Sequence, residues 1–286
     1  MRNIIFFLLL LSFGLVFNSC KKDIDIPSYI HVKSLEFTVK NGQGTPLQSI
    51  THFGIYVNDN LEGIFEAPVT FPVLQTGTNK VEIRPFIKRL AREGFVIYTM
   101  ANGYFKTLEL KAGQVDTISP TFQYESNTKF VWLEDFNANA KSIKIVSGTM
   151  DTILLTKSKG AGVDTTLYAY MSLGNVQNSF FEVETEDAFT LPLDGRDVFL
   201  EFHYKCNIPF SVGLVEISTN GDRYALPSVS PYDTKGEWAK GYIYLNDELV
   251  AAAAGTKYKV FFTALNGDAN ISPEIFIDNL KLMYRE

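Results

Sequence analysis

Cysteine is almost missing from this chain: 286 residues hold two, Cys20 and Cys206. No disulfide framework can brace the fold, so its stability must come from apolar cores. A positive balance is missing too. Against 32 Asp and Glu stand 26 Lys and Arg, a net charge of −6. That excludes a basic field broad enough to hold nucleic acid or anionic lipid heads. Beyond Phe17 no apolar run approaches the ~20 residues that a membrane-spanning helix needs. The motifs of common enzymes are also lacking. There is no Gly-x-Ser-x-Gly, no His-Glu-x-x-His, no Walker loop and no Cys-x-x-Cys. Gly160 and Gly162 mark a turn without the Lys-Ser/Thr of a phosphate loop, and His31, His52 and His203 are scattered. Acids are plentiful, but no spacing singles out a carboxylate pair. The chain reads as non-catalytic.

Aromatic residues are what it has in quantity. Phe (23) and Tyr (14) make up most of the 14% aromatic content, against two Trp, and such residues favour strands and sandwich cores. The N-terminus is a separate story. Arg2 precedes an apolar run from Ile4 to Phe17, too short to span a bilayer and suited to a cleavable signal. Asn18 and Ser19 then place a small residue before Cys20. This arrangement resembles the lipobox of bacterial lipoproteins, in the loose form found in Bacteroidetes, with Phe17 and Asn18 where Leu and a small residue are usual. The resemblance implies a signal peptide over residues 1–20, lipidation of Cys20 and a place on the bacterial outer membrane. About 265 residues would remain, enough for two ordinary domains. Residues 21–27 form a charged tether. They resemble the surface-export signals of some Bacteroidetes lipoproteins, and read alone they are a solvated linker.

Hydrophobic alternation then lays out an all-β chain in two units. Over residues 28–123 strands are predicted at 31–40, 53–57, 69–74, 79–84, 95–98, 104–110 and 115–122, the pattern of an immunoglobulin-like β-sandwich. Pro72 marks its strand as an edge, and Asn58 to Asn60 supply a turn. The stretches 55–63 and 72–83 resemble PEGA-type and carboxypeptidase-regulatory-like modules, which implies a spacing role. Residues 124–129 are polar and predict a linker. Residues 130–286 predict about eight further strands, at 142–147, 166–172, 179–184, 198–206, 210–218, 241–245, 257–265 and 274–283, which suit a jelly-roll β-sandwich. Residues 249–255 could form a helical turn. In the last strand Ile275 and Ile277 lie on one parity, Leu280 and Leu282 on the other. That phase change requires a bulge at Asp278 and Asn279. Between Val198 and Cys206 the apolar parity ends at Cys206, which reads as a small buried hydrophobe. Glu201, His203 and Lys205 share the opposite face.

Residues 133–136 and 277–282 together resemble galactose-binding-like jelly rolls, a group that includes many carbohydrate-binding modules. There the first and last strands adjoin, and an acid from each often holds a structural calcium. The resemblance implies Glu134 or Asp135 with Asp278 as metal ligands, completed by backbone oxygens between residues 157 and 162, since calcium takes six to eight oxygens. Read locally, Asp278 and Asn279 instead cap the bulge. Sugar binding calls for flat rings that cover the apolar face of a pyranose. Tyr224 and Tyr232 are candidates in predicted loops, with Asp222 and Arg223 adding polar groups. Trp238 is either a third platform or, like Trp132, a core anchor. Lys88, Arg89 and Arg92 beside Phe86 form a small cationic cluster, read as a solvated face.

Nearly the whole chain, with its Ile26-Pro-Ser-Tyr-Ile30 start and C-terminal jelly roll, resembles Bacteroidetes outer-membrane lipoproteins. This implies a lipid-anchored cell-envelope protein whose first sandwich lifts a ligand-binding second one off the membrane. The expected partners are the membrane, through the lipid, and a glycan or an envelope protein, with calcium the one cofactor. The alternative is an assembly subunit of an outer-membrane complex that holds its partner through strand edges. On the modular reading, residues 129–286 fold and bind alone.

Overall fold

The computed structural model describes residues 26–137, 142–148, 156–157, 163, 167–250 and 252–286. Cys20, the signal stretch, most of the tether and residues 158–162 lie outside them. In the first sandwich, β1 (Ser28–Val32) lies between β5 (Val69–Val73) and β9 (Val115–Ile118), while β2 (Glu36–Thr38) pairs with β10 (Thr121–Gln123). Both β1 with β9 and β2 with β10 run parallel. Against them stands a sheet of β3 (His52–Val57), β4 (Asn60–Glu66), β6 (Gly77–Lys88), β7 (Phe95–Ile97) and β8 (Tyr104–Leu110). The core between these layers holds Ile30, Phe53, Ile55, Phe71, Val81, Ile83 and Phe122.

The strand predicted at 31–40 is in fact two. Side-chain parity changes between Val32 and Leu35, so a continuous strand would turn one set outward; the chain breaks there and changes partners. Pro72 sits on the outer strand of its sheet, where a missing N–H breaks no ladder. β4 is an additional strand. Asn58 and Asp59, at φ 49° and 66°, make the tight turn that folds it onto β3. Its exposed Leu61 and Ile64 gave no inward alternation to read.

The second sandwich has two sheets. One contains β13 (Thr156–Lys157), β14 (Ala169–Ser172), β21 (Glu274–Arg285), β16 (Val198–Cys206) and β19 (Ala239–Tyr244) in that order, with β11 (Thr128–Glu134) also on β21. The other is β12 (Ile143–Gly148), β15 (Phe180–Thr185), β20 (Lys257–Leu265), β17 (Ser211–Ile217) and β18 (Arg223–Val229). The chain is therefore all-β, an immunoglobulin-like sandwich followed by a jelly roll. One helical turn at Asn246–Leu249 overlaps the predicted 249–255 only at Leu249. No helix among the described residues is long and apolar enough to cross a membrane.

The phase change in the last strand is resolved as a bulge. Glu201 faces Lys281 and His203 faces Asp278, so two residues of β21 oppose one of β16, and Asn279 takes φ 51°. Leu280 and Leu282 thereby rejoin Ile275 and Ile277 in one core.

The two sandwiches also share a third core. Ile87, Tyr98, Met100 and Tyr124 of the first pack on Phe199, Tyr242 and Met283 of the second. The predicted linker 124–129 is drawn into this joint. Tyr124 is buried, the Glu125 N–H donates to Met100 O, and Thr128 opens β11.

Candidate functional site

Outward-facing residues of the β14–β21–β16–β19 sheet divide into a covered half and an open half. Under the first sandwich lies a buried polar network centred on Glu201, which is fully buried. Its carboxylate pairs with Lys240 at 3.0 Å and accepts hydrogen bonds from the Tyr98 hydroxyl, the Tyr124 hydroxyl (3.2 Å) and Gln48 Nε2 (3.3 Å). Lys281 Nζ donates to Thr45 O (2.7 Å) and Tyr124 Oη (2.9 Å), tying down the β2–β3 loop. His203 and Asp278 lie next to it, both buried. Desolvation pushes the Lys281 ammonium down to about 7 and the His203 imidazolium to about 2, the latter helped by Lys240 and Lys281. Burial also lowers Lys240, against the pull of Glu201.

The open half carries aromatic rings. Tyr170 on β14 pairs in register with Phe276 on β21, and Phe276 with Lys205 on β16. Trp238 precedes Ala239, the partner of Tyr204, and so continues the row. Tyr170 and Phe276 ring centroids are 4.9 Å apart, and Trp238 lies 6.3 Å from Phe276. Tyr168 fills behind them, 5.5 Å from Phe276. The four members of the row are half-buried. Lys205 Nζ sits 4.3 Å from the Phe276 centroid, a cation–π contact. The Tyr170 hydroxyl donates to Glu274 (2.7 Å), which fixes its ring. This strip spans four strands, with polar groups at its margins.

Trp238 also lines a cleft of about 680 Å³ along the free edge of β19. One wall is the β6–β7 loop of the first sandwich with Arg89 and Arg92, beside Lys88 at the end of β6. It is held to β19 by the Leu90 N–H, which donates to Tyr242 O (2.8 Å). The other wall is the loop bearing Tyr232. Cys206 anchors that loop from beneath. Its thiol, buried and pushed up to about 11 by desolvation, donates to Tyr232 O, and its N–H donates to the Thr234 hydroxyl.

The predicted residues are thus separated. Tyr232 and Trp238 share the cleft, Trp238 on a half-buried wall rather than in the core. Trp132 is a core anchor, its indole N–H donating to Ser142. Asp222, Arg223 and Tyr224 belong to the other sheet. What reads as a loop there is the end of a turn and the start of β18. Arg223 is spent on buried Glu184 at 2.6 Å. Tyr224 follows it on the strand, and so on the opposite face. The proposed calcium ligands are separated in role as well. Glu134 accepts from the Phe136 N–H (2.7 Å) and the Ser142 N–H (2.8 Å), and Asp135 from the Asn137 N–H (3.0 Å). Asp278 accepts from the Asn279 N–H (2.7 Å), as a bulge cap would. Among the described residues no three His, Cys, Asp or Glu gather as a metal site. Residues 158–162, expected to complete the calcium set with backbone oxygens, lie outside the described residues. Sequence reasoning missed Tyr170, Phe276 and Lys205. The signal was an aromatic or a cation on the outward parity of strands whose inward residues are apolar.

No family model and no curated protein matches the chain. Among solved structures it is similar to the N-terminal CBM22-1–GH10 modules of Clostridium thermocellum xylanase 10B, complexed with xylohexaose. Identity is 14% and the TM-score 0.42, over 55% of this chain and 28% of that one. It is also similar to the K1 cleaved adhesin domain of Lys-gingipain from Porphyromonas gingivalis, at 16% identity and TM-score 0.38, over 54% and 96% of the two chains. A third is the CBM22-1 xylan-binding domain of Paenibacillus barcinonensis Xyn10C, at 8% identity and TM-score 0.38, over 57% and 98%.

Proposed function

We propose that the protein is a non-catalytic carbohydrate binder whose contact surface is the strip formed by Tyr170, Phe276 and Trp238. The observation that carries this reading is the in-register row of half-buried rings on an outward sheet face. An outward position on a strand normally takes a polar side chain, and rings left part-exposed there retain apolar area that a sugar's C–H face can cover. Glu274 at the margin and Lys205 within the row supply an acceptor and a donor for ring hydroxyls. Trp238→Ala and Phe276→Ala are each expected to weaken polysaccharide binding about five- to thirtyfold, about 1–2 kcal/mol, as for a buried aromatic contact. Tyr224→Ala, on the other sheet, should leave binding intact. Calorimetry against the polymers retained from a glycan array makes the measurement. Loss with Tyr224→Ala but not with the strip variants would refute the assignment.

The same proposal includes a seat on the outer membrane through an acyl group on Cys20. Its support is the short apolar run of residues 4–17 followed by Ser19 and Cys20. Full-length protein made in a bacterial host is expected to partition into the detergent phase, and Cys20→Ser into water. Equal partitioning of the two would remove the anchor.

A further inference from the structure

The aromatic strip ends at Trp238, where the cleft begins, and the cleft wall supplied by the first sandwich is cationic. Lys88, Arg89 and Arg92 form no ion pair among the described residues; Arg89 only stands 5.9 Å from the Tyr244 ring. Lys88 and Arg92 are exposed, and Arg89 is half-buried. On a chain of net charge −6, these three neighbouring cations stand beside an aromatic platform, and Asp247 and Glu248 share a smaller cavity with Arg89 and Arg92 on their far side. Lys205 adds a fourth on the strip itself. The acids of the cleft are Glu93, Asp233 and Glu237. Asp233 is occupied by the Lys235 N–H (2.6 Å), while Glu93 and Glu237 are exposed.

We propose that the ligand is an acidic polysaccharide, a uronate-bearing glycan. It lies on the strip and runs past Trp238 into the cleft, where Arg89 and Arg92 receive its carboxylates. This rests on the carbohydrate-binding reading and names the ligand class. Two physical points favour it. A guanidinium offers a planar fork that matches a carboxylate in two hydrogen bonds, and two such forks stand on one short loop. A sugar that docks on Phe276 also has to move the Lys205 ammonium off the ring. A neutral sugar loses that cation–π contact without a charge in return, whereas a uronate replaces it with an ion pair. The site is then composite: the second sandwich supplies the rings and the first supplies the charge. This assigns the first sandwich a share in recognition rather than spacing alone.

The test uses the whole mature chain with polygalacturonate oligosaccharides, their carboxyl-reduced neutral counterparts and dextran sulfate. Polygalacturonate is expected to bind about tenfold more tightly than the reduced form, on the scale of one or two partly exposed ion pairs. That preference should shrink from about 0.1 M to about 1 M salt, as the screening length falls from about 10 Å to about 3 Å. Arg89→Ser with Arg92→Ser should abolish the preference, so that the variant binds the acidic and the reduced oligosaccharides with equal affinity. These positions lie on a surface loop, and an unchanged melting temperature confirms folding. Equal binding of acidic and reduced oligosaccharides, both lost in Trp238→Ala, would overturn the acidic class and leave the carbohydrate reading standing. Tighter binding of dextran sulfate would overturn the carboxylate assignment. Failure of all three polymers, and of every neutral glycan, would remove both.

Discussion

Glu201→Ala is expected to cost about 3–5 kcal/mol of unfolding free energy, the range for breaking a buried ion pair from one side. Glu201 accepts from Tyr98, Tyr124 and Gln48 and holds Lys240, whose side chain is 3% exposed. Removing the carboxylate leaves the ammonium with only the more distant field of Asp278 and strands the Tyr98 and Tyr124 hydroxyls in a dry joint, while Gln48 Nε2 keeps its bond to Tyr124. Lys240 can shed its proton, which caps the loss. Urea unfolding of the whole chain reads it, and a change under about 1 kcal/mol would mean that water reaches the network. Glu201→Leu with Lys240→Met should lose less than Glu201→Ala alone, because it removes both charges together. The modular reading of residues 129–286 overlooks this joint. A cut there would open Phe199, Tyr242 and Met283 to water and strip Glu201 of three of its donors.

Stability should also climb with pH across the neutral and alkaline range. Lys281 has a folded pKa of about 7 against an ordinary 10.5, lowered first by desolvation and then by Lys240, with Glu201 opposing. Between those values the unfolded chain holds a proton that the folded one does not, so stability rises with pH through that window. It is fully gained above 10.5 and lost as pH falls toward 7. His203 extends the slope on the acid side. Its pKa drops from 6.5 to about 2, so acid below 6.5 protonates the unfolded state alone and destabilises the fold. Tyr124 and Tyr242, both raised by burial, ionise only in the unfolded chain above about pH 10 and reverse the trend there. The optimum therefore lies near pH 9–10, roughly where the two slopes meet. Urea midpoints at about pH 5, 7 and 9 should rise by an amount worth a few kcal/mol in total, since each tenfold change in proton affinity is worth about 1.4 kcal/mol. Lys281→Met should flatten the upper limb. A wild-type profile flat from about pH 7 to 9 would show that the lysine stays charged.

Much of this architecture can be read from residues alone, because local parity carries it. The change of phase between Ile277 and Leu280 demands the bulge, Pro72 demands an edge, and the inward set ending at Cys206 buries the thiol. What could not be read lies between distant segments. Glu201, His203 and Lys205 share one outward face of β16, and polar outward residues imply water. Yet Glu201 is capped by Tyr98, about a hundred positions earlier, and His203 is buried beside it, while Lys205 lies over an aromatic ring. The strip was missed for the same reason: Tyr170, Phe276 and Trp238 come from three segments, and each looks like an ordinary strand residue. Lys88, Arg89 and Arg92, read as a solvated face, line a cleft because a second sandwich sits beside them. β18 passed for a loop, since Gly221 stands just before it and Pro227 lies within it, where its pairing with β17 shifts register.

The parallel pairing in the first sandwich bears on how the protein carries load. The chain enters through β1 and leaves toward the second sandwich through β9 and β10, and β1 with β9 and β2 with β10 point the same way. Tension between the two ends therefore slides these strands past each other instead of peeling them apart. In sliding, the cross-strand hydrogen bonds resist together; in peeling they would yield one at a time. Beyond that point the shared core, with Tyr124 set into it, leaves no hinge to pivot on. A pull on the N-terminus would pass through that core into the second sandwich, which carries the aromatic strip, from the first, which carries the cationic loop.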